Sequence, residues 1–105
     1  MGINEKKEIA SVPVNVLTTL YKLQLSGTEY RILLCIIRYV YFFNVKFCPL
    51  SLILLAEETN TTKRNIVKGL NGLKEKGLIT NYKDTSKNND VNLWGLSDLF
   101  RTPVK

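Results

Sequence analysis

The apolar positions of this chain fall into helical stripes separated by short polar breaks. Val14, Leu17, Leu20 and Tyr21 recur at helical spacing behind Pro13, a residue suited to the first turn of a helix. They predict a first helix to about residue 25, with Lys22 toward water. Ser26-Gly27-Thr28-Glu29 has the form of a capping box, in which hydroxyl and carboxylate each satisfy the other residue's backbone N–H, so a second helix is predicted to start there. Its main stripe is Tyr30, Leu33, Leu34, Ile37, Val40 and Tyr41, and Ile32, Cys35 and Ile36 widen it until little polar face remains. A helix apolar nearly all round belongs at the centre of a core. Phe42, Phe43 and Phe47, around the turn-tolerant Asn44, are expected to close that core, with a partner-binding patch as the alternative. Residues 46–48 suit a short strand before Pro49.

Ser51 is positioned to cap a short helix over 52–59, with Leu52, Leu55 and Ala56 inward, Glu57 and Glu58 outward, and Asn60 at its end. Thr61 and Thr62 offer a fresh N-cap for a helix over 63–76, closed by Gly77 where a left-handed residue is expected. Two helices joined by so short a turn suggest a helix-turn-helix. The pattern then becomes extended: 78–82 and 91–96 suit two strands around a polar, turn-rich tip at 83–90, and Trp94 is expected to anchor the hairpin on the core. Residues 97–105 read as a short helical turn and a frayed end. The predicted order is α-α-β-α-α-β-β, a mainly α fold with a small β-hairpin, which is a winged helix-turn-helix. Residues 1–11 read as a flexible arm, 12–100 as the domain and 101–105 as a tail.

Composition narrows the chemistry. A chain of 105 residues with 45% apolar residues suits one domain with one core. Lys and Arg number 15 against 9 acids, a net charge of +6 that attracts polyanions. Histidine is absent and the two cysteines, Cys35 and Cys48, sit in apolar surroundings, so no four-ligand zinc site, other cofactor or catalytic base is expected, and the chain reads as non-enzymatic. The apolar stretch 32–43 contains Arg38 and is shorter than the roughly 20 residues needed to cross a bilayer. Polar residues at the start lack a signal-peptide pattern, and a cytoplasmic location is expected.

The positive charge is concentrated. Between residues 61 and 87 there are seven cations and two acids, a surplus of five out of the chain's six. On a helical wheel over 63–76, Ile66, Val67, Leu70 and Leu73 gather on one side, assigned to the core. Thr61, Arg64, Lys68 and Asn71 gather on the other, with Asn65 and Gly72 at its edge. Arg pairs with guanine through two hydrogen bonds, Asn does the same with adenine, and Thr and Lys suit phosphates near a helix N-terminus. Candidate DNA-binding residues are therefore Thr61, Thr62, Lys63, Arg64, Asn65, Lys68 and Asn71, with Arg64, Asn65 and Lys68 as base readers. Lys83, Lys87 and Asn88 at the hairpin tip suit the sugar-phosphate backbone or the minor groove. A protein-binding winged helix using Phe42 and Phe43 is the competing function. Double-stranded DNA is the expected partner, and the pattern leaves room for a homodimer and for a replication or regulatory protein.

The stretch 13–96 resembles the N-terminal winged-helix domain of the bacteriophage replication protein O and replisome-organizer group. The resemblance rests on Val12-Pro13-Val14, on Ser26-Gly27-Thr28-Glu29, and on Arg38-Tyr39-Val40-Tyr41 with Asn44. It continues through Leu50-Ser51 to Leu55-Ala56, Thr59, Asn65-Ile66-Val67, and Leu70 to Leu73-Lys74-Glu75-Lys76-Gly77-Leu78-Ile79. It implies binding of origin or operator DNA by the helix over 63–76, inside a bacterial host. Full initiators of that group carry a further region that recruits helicase machinery. Too little follows residue 96 to supply it, so a DNA-binding fragment or a small stand-alone regulator is expected.

Overall fold

The computed structural model describes residues 11–84 and 91–100, leaving most of the expected arm, the hairpin tip and the expected tail outside the described residues. Within them the order is α1 (Val14–Lys22), α2 (Gly27–Phe43), β1 (Cys48–Pro49), α3 (Leu52–Thr59), α4 (Lys63–Glu75), β2 (Ile79–Asp84), β3 (Val91–Leu96) and a 3₁₀ turn (Asp98–Phe100). This is the predicted order, and the fold is a winged helix.

The helix boundaries follow local chemistry. Ser26 and Glu29 form the full capping box: the Glu29 N–H donates to Ser26 Oγ at 3.2 Å and the Ser26 N–H donates to Glu29 Oε1 at 3.0 Å. Ser51 caps α3 by accepting from the Leu54 N–H at 3.0 Å. Asn44 and Asn60 end α2 and α3 in the left-handed region, with φ of 54° and 56°, a conformation Asn adopts more readily than most side chains. After Asn60 only Thr61 and Thr62 intervene before α4 starts, so the chain has no room to do anything but turn.

One core joins all elements. Ile32, Leu33 and Ile36 of α2 are fully buried and share one cluster with Val16 from α1, Leu55 from α3, Ile66 and Leu73 from α4 and Trp94 and Leu96 from β3. In the three-stranded antiparallel sheet β3 is central, in the order β1-β3-β2, with Cys48 opposite Trp94 and Ile79 opposite Leu96. Trp94 is buried, as its anchoring role requires, and Cys35 and Cys48 are buried free thiols. Among the described residues no helix is long and apolar enough to cross a membrane.

Several expectations are corrected. Helix α1 ends at Lys22 rather than near residue 25, because Leu23 is already extended and its carbonyl accepts from the Tyr30 hydroxyl. Its buried side is Val16 and Leu20, whereas Val14, Leu17 and Tyr21 face out. Both sets have helical spacing, and the choice is made by a distant partner: α1 packs on the 3₁₀ turn, where Asn15 Nδ2 donates to the Phe100 carbonyl at 3.0 Å. Phe100 itself is fully buried, so the short helical turn expected after β3 is present and reaches into the core.

The remaining corrections concern α2, α4 and β1. Leu34 is exposed on α2 with Arg31 and Arg38, since the arc of Ile32, Leu33, Ile36 and Val40 already fills the interface. Phe43 is exposed rather than closing the core; it packs edge-on against Phe42 at 4.9 Å and stacks with Tyr39 at 6.1 Å. Val67 is 43% exposed, outside the core to which its stripe had assigned it. Strand β1 is Cys48–Pro49 rather than 46–48. Its edge position tolerates proline, which cannot donate a ladder bond; the next residue, Leu50, supplies an N–H to the Asn92 carbonyl at 3.2 Å.

Candidate nucleic-acid interface

Helix α4 carries most of the predicted site, and its ends are fixed by its own sequence. Thr62 caps it, with Oγ1 accepting from the Asn65 N–H at 3.2 Å. At the far end Gly77 takes φ of +71°, which lets the Leu78 N–H reach the Leu73 carbonyl at 3.0 Å and the Gly77 N–H reach that of Lys74 at 2.9 Å. That closure sends the chain directly into β2.

The inward face is Ile66, Gly69, Leu70 and Leu73, all buried. Gly69 and Gly72 let α4 lie close on α2: a Cβ on Gly69 would land on Ile32 and one on Gly72 on the Glu29 carboxylate. Two interior glycines cost a helix about 1 kcal/mol each relative to alanine, so their presence reflects this approach. Glu29 is nearly buried, and Lys76 Nζ donates to both its carboxylate oxygens at 2.9 Å. The Lys76 bond, with the Ser26 N–H behind it, holds the Glu29 carboxyl below the ordinary carboxylate range against the opposing effect of burial.

With its inner face pinned, α4 presents Lys63, Arg64, Asn65, Lys68 and Asn71 exposed along its first three turns. No acid occupies the first turn, so the partial positive charge of the helix N-terminus adds to these cations. Thr61 is half-buried and its Oγ1 accepts from Asn65 Nδ2 at 3.2 Å, while the Thr62 hydroxyl is engaged as the cap. Of the ten predicted site residues, Lys63, Arg64, Asn65, Lys68 and Asn71 thus lie along the exposed side of α4, and Thr61 and Thr62 lie in the turn that leads into it. Lys83 belongs to β2, in register with Asn92, and Lys87 and Asn88 lie outside the described residues.

Two features of this surface went unread in the sequence. A cleft of about 340 Å³ runs beside α4, lined by Ser26, Thr28 and Glu29 of the α2 start and by Asn65, Lys68 and Gly69. It joins residues some 40 positions apart, so no local pattern announces it. Val67 lies on the outward side among the polar residues. Its spacing from Arg64 and Asn71, three and four residues away, was the available signal.

The fold is similar to that of ZitR from Lactococcus lactis, a zinc-responsive MarR family member, with a TM-score of 0.58 and 22% identity over 75% of this chain and 48% of that one. The chain therefore spans about half the length of that protein. No curated protein matches it. The family model of bacteriophage replication protein O, however, matches residues 4–94. With that match covering most of the sequence and a winged helix beneath it, the chain belongs to the bacteriophage replication protein O family, and family and fold together support DNA binding in general.

Proposed function

We propose that this chain binds double-stranded DNA sequence-specifically through α4, in phage-type replication initiation or in transcription regulation, with residues 12–100 as the DNA-binding unit. One observation carries the proposal: α4 is core on one side and exposes Arg64, Lys68 and Asn71 on the other. An α-helix fits the B-DNA major groove, where Arg and Asn discriminate guanine and adenine through paired hydrogen bonds. Lys63, Lys68 and the threonines at the helix start suit phosphates, and Lys83, Lys87 and Asn88 would follow the backbone alongside. A homodimer on two half-sites would double the few base contacts one such helix makes.

The test is fluorescence anisotropy on pooled duplexes at two salt concentrations, with Arg64→Ala and Lys68→Ala beside the parent. Binding that falls steeply with salt, narrows to one sequence on selection and is weakened by both substitutions supports the proposal. Weak binding indifferent to both overturns it. Protein docking is the second function, favoured by the exposed Phe43 against Phe42 and by the Arg38 guanidinium 4.7 Å from the Tyr39 ring centre.

A further inference from the structure

Val67 is 43% exposed at the border of the polar side of α4, three residues after Arg64, one before Lys68 and four before Asn71, all of them exposed. It lies outside the core, which α4 reaches through Ile66, Leu70 and Leu73. The helix gains little from it: a β-branched side chain is a poorer helix former than Lys, Arg or Gln, and nearly half of this one is left to water. Lys63, Arg64, Asn65, Lys68 and Asn71, the exposed residues around it, are all hydrogen-bond donors, and Val67 is not.

A base pair in the major groove offers one apolar group, the C5-methyl of thymine. We infer that Val67 packs against a thymine C5-methyl and is a specificity-determining residue of this DNA face, an inference that rests on the function proposed above. Arg64 and Asn71 sit one turn to either side on the same face, so their hydrogen bonds to neighbouring bases or phosphates would press the isopropyl group into the groove. A cytosine in that place would turn its N4 amino group toward a side chain that cannot accept from it, leaving a donor unsatisfied. Valine thus selects for thymine by contact and against cytosine by omission.

Uracil is the probe, because it differs from thymine only in lacking that methyl. Duplexes selected by the parent chain from a random pool are remade with uracil at one thymine at a time, and binding is measured by anisotropy for the parent and for Val67→Ala. At one thymine the parent should weaken about fourfold, the worth of one buried methyl. Val67→Ala should bind the thymine and uracil duplexes alike, at about the parent's affinity for uracil. Alanine favours the helix, and a thermal melt confirms that the variant is folded. The inference is overturned, with DNA binding intact, if no uracil replacement affects the parent or if Val67→Ala keeps the parent's full loss. A parent that selects no sequence at all overturns the proposed function as well, so the two failures are distinguishable.

Discussion

Lys76, just past the end of α4, donates to both carboxylate oxygens of Glu29 in the first turn of α2, at 2.9 Å each, across 47 residues of sequence. The same carboxylate receives the Ser26 N–H, so one side chain both starts α2 and fixes the helix that carries the proposed DNA face. Its folded pKa lies below the unfolded value, chiefly through the Lys76 hydrogen bond. The stabilisation is therefore present above the ordinary glutamate range and is lost as pH falls through that range toward the folded pKa.

Glu29→Gln should accordingly lower stability near neutral pH by about 1.5–3 kcal/mol, the range for hydrogen bonds to charged groups. Urea unfolding followed between about pH 7 and pH 3 should show the parent losing its advantage over Glu29→Gln as the acid limb is reached. Parallel curves for the two proteins would mean that the pair contributes nothing measurable.

Gly72 makes the same contact testable by a change of sign. Alanine there should gain about 1 kcal/mol of helix propensity. Its Cβ, however, would fall on the Glu29 carboxylate, which Lys76 and Ser26 hold in place. Gly72→Ala should therefore destabilise the parent, yet stabilise a Glu29→Ala background by about 1 kcal/mol. Chemical denaturation of the four proteins gives the coupling, and additive effects would refute it.

The thiols should be slow. Burial, followed by the negative charge of Glu58, pushes Cys35 up to about 11, with Arg38 pulling the other way, and burial raises Cys48 as well. At pH 8 the folded chain should react with an alkylating reagent far more slowly than the urea-unfolded chain, because the thiolate is the nucleophile. Equal rates in the two states would show that the thiols are accessible.

What the sequence made legible was local. The helix over 52–59 is legible from Ser51 and Asn60, and the start of α4 from its threonines, because caps and turn residues act within four positions. The inner side of α1 was not legible, since Val16 and Leu20 compete with Val14, Leu17 and Tyr21 at equally good spacing and Phe100 decides between them from the other end of the chain. Glu29 shows the same limit: its capping bond is readable from Ser26, but Lys76 reaches it only once the fold has formed. Val67 is not legible by type, since an apolar residue beside Ile66 suits the core, whereas its spacing groups it with Arg64 and Asn71.

Trp94, buried at the centre of the sheet with Cys48 and Asn81 as its cross-strand neighbours, is the chain's single indole. All tryptophan emission from this protein therefore arises at the root of the hairpin, in an apolar setting when folded and in water when unfolded. The shift of that one spectrum follows the joining of strand and helix layers, without a label.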